Sequence, residues 1–418
     1  MIVEMGYGTP PHDEWRVAGL AKIVGLAGLR PGESWVSAVT CPPFDVIKPA
    51  SPLETFLRGN PNSLFHVTLG ENPADALRRL IAEGILVEDP EPGFYVYEQC
   101  YGDHCRIGFL AAPEVRPYET GDIIRHEKTF DEKVNGRIRL MEETGYVTEP
   151  IWLLTRTPID GVLEKICASE KPIYDFCSDF GGESELSGIT NRVFKVAEDS
   201  VHGRQIMDTI MPGPLYIADG HHRYHSALRM GLDRCIAYIC QIDKAGIQAY
   251  NRLIHGRRSF GSVRDNLSAV RADAFATPPR HSFSIYTRDG VWQYGVGDVD
   301  ESDPVRRLDC SILETTMYPL LGLDHAMIMD ERFFDYHPEQ DLDKAKEAVD
   351  SGAYDLAVAL HPVSPEELVA VADAGVGDPD IVMPEKSTFF APKILSGLIL
   401  IPTCRAGQQN VKAEVEGA

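Results

Sequence analysis

A mixed α/β or α+β fold with several domains is the class that this 418-residue sequence predicts. Short apolar runs bounded by glycine and proline indicate buried strands, while other segments carry apolar residues at helical spacing. Strand and helix do not alternate in the regular way that indicates a Rossmann sheet. The chain is also longer than one hydrophobic core usually supports, so we expect two or three domains.

The predicted elements follow from these two patterns. Strands are expected at residues 35–39, 94–97, 107–110, 151–154, 215–218, 235–241 and 356–360. Helices are expected at residues 73–83, 136–143, 160–168, 191–201, 221–230, 342–351 and 365–374.

Turn-rich and charged segments suggest where the domains meet. We expect an N-terminal α/β domain at residues 1–120, a central core at 121–260 and a C-terminal α/β domain at 261–404. Residues 405–418 are polar with little periodicity, which predicts a flexible tail.

The composition excludes several classes of protein. A formal net charge of -23 argues against a broad nucleic-acid surface, although a local positive pocket can still hold a small anion. No apolar run is long enough to span a membrane, and the N-terminus lacks the pattern of a signal peptide. Nine cysteines without a Cys-x-x-Cys pair predict reduced thiols rather than a disulfide framework or structural zinc. A cytoplasmic protein is expected.

The turn at Asp219-Gly220 is the strongest local signal for chemistry. An apolar strand precedes it, and an amphipathic helix from His221 follows it. The first N–H groups of a helix lack partners within the helix, so they can bind an anion. The electrostatics of a helix terminus contribute only about 0.3–2 kcal/mol, so neighbouring side chains must contribute to phosphate binding. Gly220, His221, His222 and Arg223 are therefore the predicted phosphate-binding residues.

Two other interpretations of this turn stay open. Asp219 could simply cap the helix, with the histidines incidental. Alternatively, His221 and His225 stand one helical turn apart and could bind zinc together with His222. The sequence has no His-Glu-x-x-His motif and no acidic third ligand at a characteristic spacing.

The segment Asp219-Gly220-His221-His222-Arg223 resembles the signature of the ParB/sulfiredoxin-like superfamily, in which such a turn binds nucleotide phosphates. Free serine kinases carry a closely similar motif. Over nearly its whole length the chain resembles DUF1015, a family of unknown function. The matching segments are residues 41–47, 59–63, 95–99, 126–129, 217–224 and 383–393. Cys41 and Gly136 depart from the family pattern, and the second departure weakens a chemical role for residue 136.

This resemblance implies a ParB/sulfiredoxin-like core that binds nucleotide. The kinase-like relatives transfer a phosphoryl group from ATP or ADP to the hydroxyl group of a small amino acid. Family members are often encoded beside serine-biosynthesis enzymes. We therefore expect a nucleotide-dependent phosphotransferase that acts on free serine or a related hydroxy-amino acid. Mg²⁺ would neutralise charge, with Asp219 as a candidate ligand. No nucleic acid or membrane partner is expected, and a homodimer is left open.

Phosphoryl transfer needs positioning, neutralisation of charge and a carboxylate that activates the acceptor. His126-Glu127-Lys128-Thr129 offers an acid, a base and a cation in four residues. Glu127 is the first candidate for the general base and Asp219 the second, with His126 as a further catalytic residue. Lys128 and Thr129 are predicted to contact phosphate. A solvated charged loop is the alternative interpretation.

Lys386, Ser387 and Thr388 are predicted to contact the substrate. They stand between two prolines, which favour an extended path. A lysine beside two hydroxyl groups suits a phosphate or a carboxylate, but the glycines of a P-loop are absent. An ordered loop that closes the core fits the pattern equally well.

Four other residues are candidate substrate contacts: Asp45, Asn60, Arg137 and Arg252. Asp45 follows two prolines and could line a pocket or cap a turn, and Asn60 could instead shape a loop. A guanidinium group can bind phosphate or carboxylate through two parallel hydrogen bonds, which makes both arginines candidate anion clamps. A surface or ion-paired arginine is the alternative for each.

Three other functions compete with the kinase hypothesis. A phosphoserine phosphatase would use the same anion pocket, but no Asp-x-Asp pair (298/300, 341/343 or 378/380) follows an apolar strand. A nucleotide-binding regulator would bind without chemistry on a metabolite. A metal-dependent hydrolase would use His221, His222 and His225.

Overall fold

The structure is a computed structural model that describes residues 21–210 and 213–404. The predicted tail at 405–418 lies outside the described residues. The helices, numbered along the chain, are α1 (Val36–Val39), α2 (Pro52–Gly59), α3 (Phe65–Thr68), α4 (Pro73–Ala82), α5 (Asp131–Thr144), α6 (Asp160–Ser169), α7 (Val201–Ile210), α8 (His221–Met230), α9 (Phe260–Val263), α10 (Asp309–Leu321), α11 (His325–Ile328), α12 (Leu342–Asp350) and α13 (Pro365–Gly377).

The strands are β1 (Ile23–Val24), β2 (Leu26–Pro31), β3 (Leu86–Tyr101), β4 (His104–Pro113), β5 (Ile123–Ile124), β6 (Tyr146–Val147), β7 (Ile151–Thr155), β8 (Tyr174–Cys177), β9 (Thr190–Ala197), β10 (Leu215–Asp219), β11 (Ala237–Gln241), β12 (Ile247–Gln248), β13 (Tyr250–Ile254), β14 (Val270–Ala272), β15 (Ser282–Thr287), β16 (Gly290–Gly295), β17 (Phe334–Pro338), β18 (Leu356–Leu360), β19 (Phe389–Phe390) and β20 (Ile401–Pro402).

Two large sheets organise the fold, and the predicted mixed α/β class is confirmed. The ten-stranded sheet has the order β5-β10-β7-β11-β4-β3-β9-β8, with β1 paired to β4 and β2 paired to β3. In its centre β10 and β7 are antiparallel, whereas β11 and β7 are parallel. The six-stranded sheet has the order β14-β16-β15-β18-β13-β17 and consists of antiparallel pairs. The larger sheet carries the turn at Asp219-Gly220.

Two of the predicted elements are wrong. Residues 35–39 form a short helical turn rather than a strand, with Val36 and Val39 buried one turn apart. Residues 190–197 form β9 rather than a helix, because their backbone pairs with β3 and β8. The buried Asn191 accepts a hydrogen bond of 2.6 Å from Tyr97, far away in the sequence. Tertiary pairing decided this segment over its local propensity.

Hydrogen bonding crosses both of the predicted domain edges. The antiparallel pair β4–β11 joins residues on either side of 120, and β13–β18 joins residues on either side of 260. The C-terminal segment then returns to the N-terminal part, where Leu29 pairs with Leu400 and Cys41 with Ser396. These hydrogen bonds do not test the three-domain division, which stays a prediction.

One cysteine pair corrects the expectation that all thiols are reduced. Cys100 and Cys105 form a disulfide across the β3–β4 hairpin, where the strand register places them directly opposite each other. Their spacing in sequence gave no sign of this pairing. No helix among the described residues is long and apolar enough to cross a membrane.

Candidate functional site

The predicted strand–turn–helix is confirmed. Strand β10 ends at Asp219, Gly220 has φ 91°, and α8 begins at His221. No side chain caps the first turn of α8 in the described part of the chain, so its N–H groups remain available to a ligand. A Cβ on Gly220 would lie 2.9 Å from Nε of Arg223 and 3.1 Å from Cγ2 of Ile151. Glycine is therefore required here both by its φ angle and by space.

We expect Gly220→Ala to destabilise the protein more than Gly231→Ala does. Gly231 ends α8 with φ 65° and has nothing within 4 Å of a Cβ, so its substitution costs only the backbone strain of about 1–2 kcal/mol. At Gly220 the contact with Arg223 adds to that strain. Urea unfolding of the two variants measures the difference, and equal losses would contradict a steric role for Gly220.

Asp219 lies between two buried cations. It accepts a hydrogen bond of 2.6 Å from Nη2 of Arg223 and one of 3.1 Å from Nζ of Lys393. The side chains of Asp219, Arg223 and Lys393 are 20%, 9% and 7% exposed. Burial raises the pKa of Asp219, but Lys393 and Arg223 lower it by more, so the net pKa is well below its ordinary value. Asp219 is therefore ionised at neutral pH.

Two of the roles predicted for Asp219, general base and magnesium ligand, suit this arrangement poorly. A carboxyl group with so low a pKa is a poor general base near neutral pH, which leaves Glu127 as the candidate. Both of its oxygens already accept hydrogen bonds from cations, so a Mg²⁺ ion would compete with Lys393 and Arg223. Asp219 fits poorly as a magnesium ligand, and its role is to hold the two cations in place.

Lys393 was missed among the predicted site residues. The segment just before Lys393 is held by the buried Arg106 on β4. Arg106 donates hydrogen bonds to the carbonyl groups of Ala391 and Pro392. Gln99 on β3 donates to the carbonyl group of Lys393 itself at 3.2 Å. The only signal in the sequence was that Lys393 ends the segment 383–393, which resembles the family pattern.

His221 links the start of α8 to Glu127. Its ring is buried, and its Nε2 accepts a hydrogen bond of 3.4 Å from the backbone N–H of His126. The proton of the neutral ring is therefore on Nδ1, which lies 3.5 Å from Oε2 of Glu127. Burial and the neighbouring His126 lower the pKa of His221 well below its ordinary value, so the ring is uncharged.

Glu127 is a partly exposed carboxyl group with a perturbed pKa. The side chain of Glu127 is 27% exposed. Burial raises its pKa to about 7, with Lys386 opposing the rise and Asp219 and Glu385 adding to it. A carboxyl group with a pKa near neutrality suits general-base catalysis, which is the role predicted for Glu127.

His126 does not fit the role of an acid. It is 1% exposed, packs edge-on against His221 at 4.5 Å, and burial lowers its pKa to about 4. At neutral pH the ring is therefore uncharged. Neither ring nitrogen has a hydrogen-bond partner in the part of the chain that the structure describes. Its side chain helps to desolvate His221 and Glu127.

The metal-site hypothesis rests on the histidines of α8. The structure separates the predicted trio: His222 accepts a hydrogen bond of 3.0 Å from the N–H of Phe130, and His225 stacks against Tyr118. Donor atoms of His126, Glu127 and His221 do lie within 4.8 Å of one another. Because Nδ1 of His221 carries a proton toward Glu127, this second trio fits a hydrogen-bonded pair better than a metal ion.

The other predicted phosphate contacts near the turn, Lys128, Thr129 and His222, differ in how far they are exposed. Lys128 is exposed and faces Asp380 at 3.5 Å, so the structure does not bring it to the turn. Thr129 is half-buried beside it. Burial lowers the pKa of the half-buried His222 to about 4, with Lys133 and Lys386 adding to the shift. His222 is thus a neutral donor or acceptor beside the turn.

Lys386 reaches the site from the C-terminal segment. Met383 anchors this segment by donating to the carbonyl group of His126 at 2.8 Å. Burial lowers the pKa of Lys386, but Tyr250, Glu127 and Asp45 raise it by more, so the side chain stays charged. No salt bridge to Lys386 is formed within residues 21–210 and 213–404, which leaves this cation free for an anionic ligand.

The neighbours of Lys386 do not share this position. Ser387 is buried, donates to the carbonyl group of Pro384 at 2.6 Å and lies 3.1 Å from Sγ of Cys310. It therefore stabilises the loop rather than facing a ligand. Thr388 is half-buried.

The four other candidate contacts lie in different surroundings. Asp45 is exposed but close enough to interact electrostatically with Lys386 and Lys393. Arg137 is paired with Glu149 at 3.2 Å and covers the ring of Phe44. Asn60 donates to the carbonyl group of Ala38 and accepts from the N–H of Asn62, so it shapes its own loop. Arg252 lines a separate cavity beside the segment 384–385.

The sequence model of the family described as "Protein of unknown function (DUF1015)" matches residues 23–311, and the chain belongs to this family. The search of the curated proteins finds no match.

Several solved structures are similar to this chain at low identity. Free serine kinase in complex with AMP is 12% identical, with 68% of this chain and 88% of that chain covered and a TM-score of 0.35. SbnI from Staphylococcus aureus, with a C-terminal truncation, is 12% identical over 74% of this chain and 93% of that chain (TM-score 0.37). A conserved hypothetical protein from Pyrococcus furiosus is 14% identical over 66% and 92% (TM-score 0.32). Scores this low support no transfer of function.

Proposed function

We propose that this protein is a phosphotransferase that moves a phosphoryl group from ATP or ADP to the hydroxyl group of free serine or a related small hydroxy-amino acid. The observation that carries the proposal is the position of Glu127. Its carboxyl group, with a pKa of about 7, lies beside the first turn of α8 and interacts with the cation of Lys386. Within the described residues no side chain caps that turn and no salt bridge holds that cation. The proposed anion site and the proposed general base would thus be neighbours.

The nucleotide phosphates would bind at Gly220–Arg223, against the free N–H groups of α8. Lys386 would neutralise charge on the transferred phosphoryl group, which is what phosphoryl transfer chiefly requires. Lys393 and Arg223 are held by Asp219 and add to the positive potential of the pocket.

In the reaction, Glu127 would take the proton of the acceptor hydroxyl group as its oxygen attacks the terminal phosphorus of the nucleotide. The new O–P bond forms while the bond from phosphorus to the bridging oxygen breaks. ADP leaves when ATP is the donor, and AMP leaves when ADP is the donor. His221, with its Nδ1 proton directed at Glu127, would orient the carboxylate for this transfer. Mg²⁺ that accompanied the nucleotide would be held by the phosphates rather than by Asp219, whose two oxygens already accept hydrogen bonds from Arg223 and Lys393.

The test is to incubate the full-length protein with L-serine and either ATP or ADP, and to analyse the products by mass spectrometry. We expect phosphoserine together with ADP or AMP. The proposal fails if no nucleotide is consumed with serine or other small hydroxy acids. Phosphate release from phosphoserine alone would indicate the phosphatase, and saturable nucleotide binding without turnover would indicate the regulator.

The pH dependence of turnover gives a second test. A general base works in its deprotonated form, so kcat/KM should rise with pH through an apparent pKa of about 7, the value for Glu127, and then level off. The rise should be absent from the residual activity of Glu127→Gln. A profile that is flat across neutrality in the wild-type protein would contradict the role of Glu127.

A further inference from the structure

Arg252 is a buried cation. It is 2% exposed on β13, where its Nε donates to the hydroxyl group of Tyr318 at 3.1 Å and its Nη1 donates to the carbonyl group of Tyr250. No salt bridge to Arg252 is formed among the residues that the structure describes. Burial lowers its pKa, but Tyr318 and Tyr336 raise it by more, so the guanidinium group stays charged.

The groups that directly contact Arg252 in the described part of the chain are uncharged. Tyr336 stacks under the guanidinium group at 4.6 Å, which offers only the face of an aromatic ring. Burial raises the pKa of both Tyr318 and the Cys310 thiol, so these two groups are uncharged. A buried charge without a counterion is costly, so a ligand that supplied the opposite charge would stabilise Arg252.

Arg252 lines a small cavity. The cavity also has Tyr318, Tyr336, Glu314 and Glu385 in its wall, and its volume is about 90 Å³. On this scale a water molecule needs about 10–15 Å³, so the cavity fits a ligand of several non-hydrogen atoms. It is much smaller than the pockets of roughly 300 Å³ or more that hold larger ligands such as nucleotides.

The charges of the cavity suit a zwitterion. Arg252 lines the cavity and can bind a carboxylate through its guanidinium group. Glu314 and Glu385 also line it and can accept hydrogen bonds from an ammonium group. Glu385 precedes Lys386 and interacts electrostatically with Glu127, so the cavity adjoins the proposed reaction centre.

We propose that this cavity binds a small amino acid, with its carboxylate on Arg252 and its ammonium group facing Glu314 and Glu385. The role of the cavity as the site of the phosphoryl acceptor rests on the proposed function. The binding of an amino acid in the cavity does not. The cavity would hold the backbone groups of the amino acid and leave its hydroxyl group to be directed toward Glu127.

The test is calorimetric titration of the nucleotide-free, full-length protein with three probes. L-serine carries both charges, propionate only the carboxylate, and ethanolamine only the ammonium group. We expect L-serine to bind more tightly than either of the others. Equal or absent binding of all three would overturn the proposal.

Two variants locate the binding. Arg252→Gln should weaken the binding of L-serine by about tenfold to a hundredfold, because a hydrogen-bonded ion pair is lost. Glu314→Gln, at an exposed position, should weaken L-serine but leave propionate unchanged. Glu142→Gln, an exposed carboxylate on α5, is the matched control and should change neither. L-serine binding that is unchanged in Glu314→Gln, and also in any folded Arg252 variant, would overturn the assignment.

Arg252 also supports Tyr318, so Arg252→Gln could unfold the protein; Arg252→Lys and Glu314→Gln then carry the test. Binding of L-serine without phosphorylation would leave the cavity assignment standing and remove the kinase function. If serine is phosphorylated and the affinity for L-serine is undiminished in both Arg252→Lys and Glu314→Gln, the kinase function stands and the cavity assignment is removed.

Discussion

Glu127→Gln is expected to lower kcat by about 10²–10⁴-fold, because a positioned general base contributes a factor of this size. Glutamine keeps the shape of the side chain and can still accept a hydrogen bond from Nδ1 of His221. It cannot take the proton of the acceptor hydroxyl group. Initial rates at saturating nucleotide and serine measure the loss.

The matched control is Glu132→Gln, which removes an exposed carboxylate near the start of α5. Its rate should equal that of the wild type. Circular dichroism and thermal unfolding should show that Glu127→Gln is folded, because a neutral side chain suits a partly buried position at which desolvation raises the pKa of the carboxyl group. A folded Glu127→Gln variant with the wild-type rate would exclude Glu127 as the base.

Asp219→Asn is expected to destabilise the protein by about 3–5 kcal/mol, since removing one partner of a buried ion pair leaves the other charge uncompensated. Here two cations, Arg223 and Lys393, lose their common counterion. Equilibrium unfolding in urea measures the loss, provided that the transition of this large protein is two-state.

A double-mutant cycle separates the pair from its surroundings. Lys393→Met added to Asp219→Asn should recover part of the lost stability, because it removes one of the two uncompensated cations. The exposed pair Lys128–Asp380 provides the control, and Lys128→Gln should change stability by less than about 0.5 kcal/mol. Strictly additive effects of the substitutions at Asp219 and Lys393 would show that the two side chains are not coupled.

The parts of the fold that were predicted correctly depend on short stretches of sequence. The strand before Asp219, the glycine at the turn and the amphipathic helix that ends at Gly231 are all encoded within about twenty residues. The wrong predictions at 35–39 and 191–201 arose where a short apolar run fits both kinds of element. For β9, pairing with β3 and β8 decided the outcome.

The candidate site could be predicted only in part. Glu127 and the α8 turn were recognisable because each lies in a compact motif. The sequence could not show that Lys128 faces Asp380, that Ser387 is turned toward Cys310, or that Arg137 is already paired with Glu149. Such outcomes depend on contacts that form only when the chain is folded, and no local pattern encodes them.

The sequence by itself determined the mixed α/β class, the family and the position of the strand–turn–helix at Asp219-Gly220, since each is written in local patterns. Only the tertiary structure decided what surrounds that turn. It brings Lys393 to Asp219 across 174 residues, places Lys386 near Glu127, and buries Arg252 beside a small cavity. Burial then sets the charges of these groups: it raises the pKa of Glu127 to about 7, while the cations around Asp219 keep that carboxylate ionised. Desolvation and long-range pairing act only in the folded chain, and they make Glu127 the candidate base while Asp219 pairs with two cations.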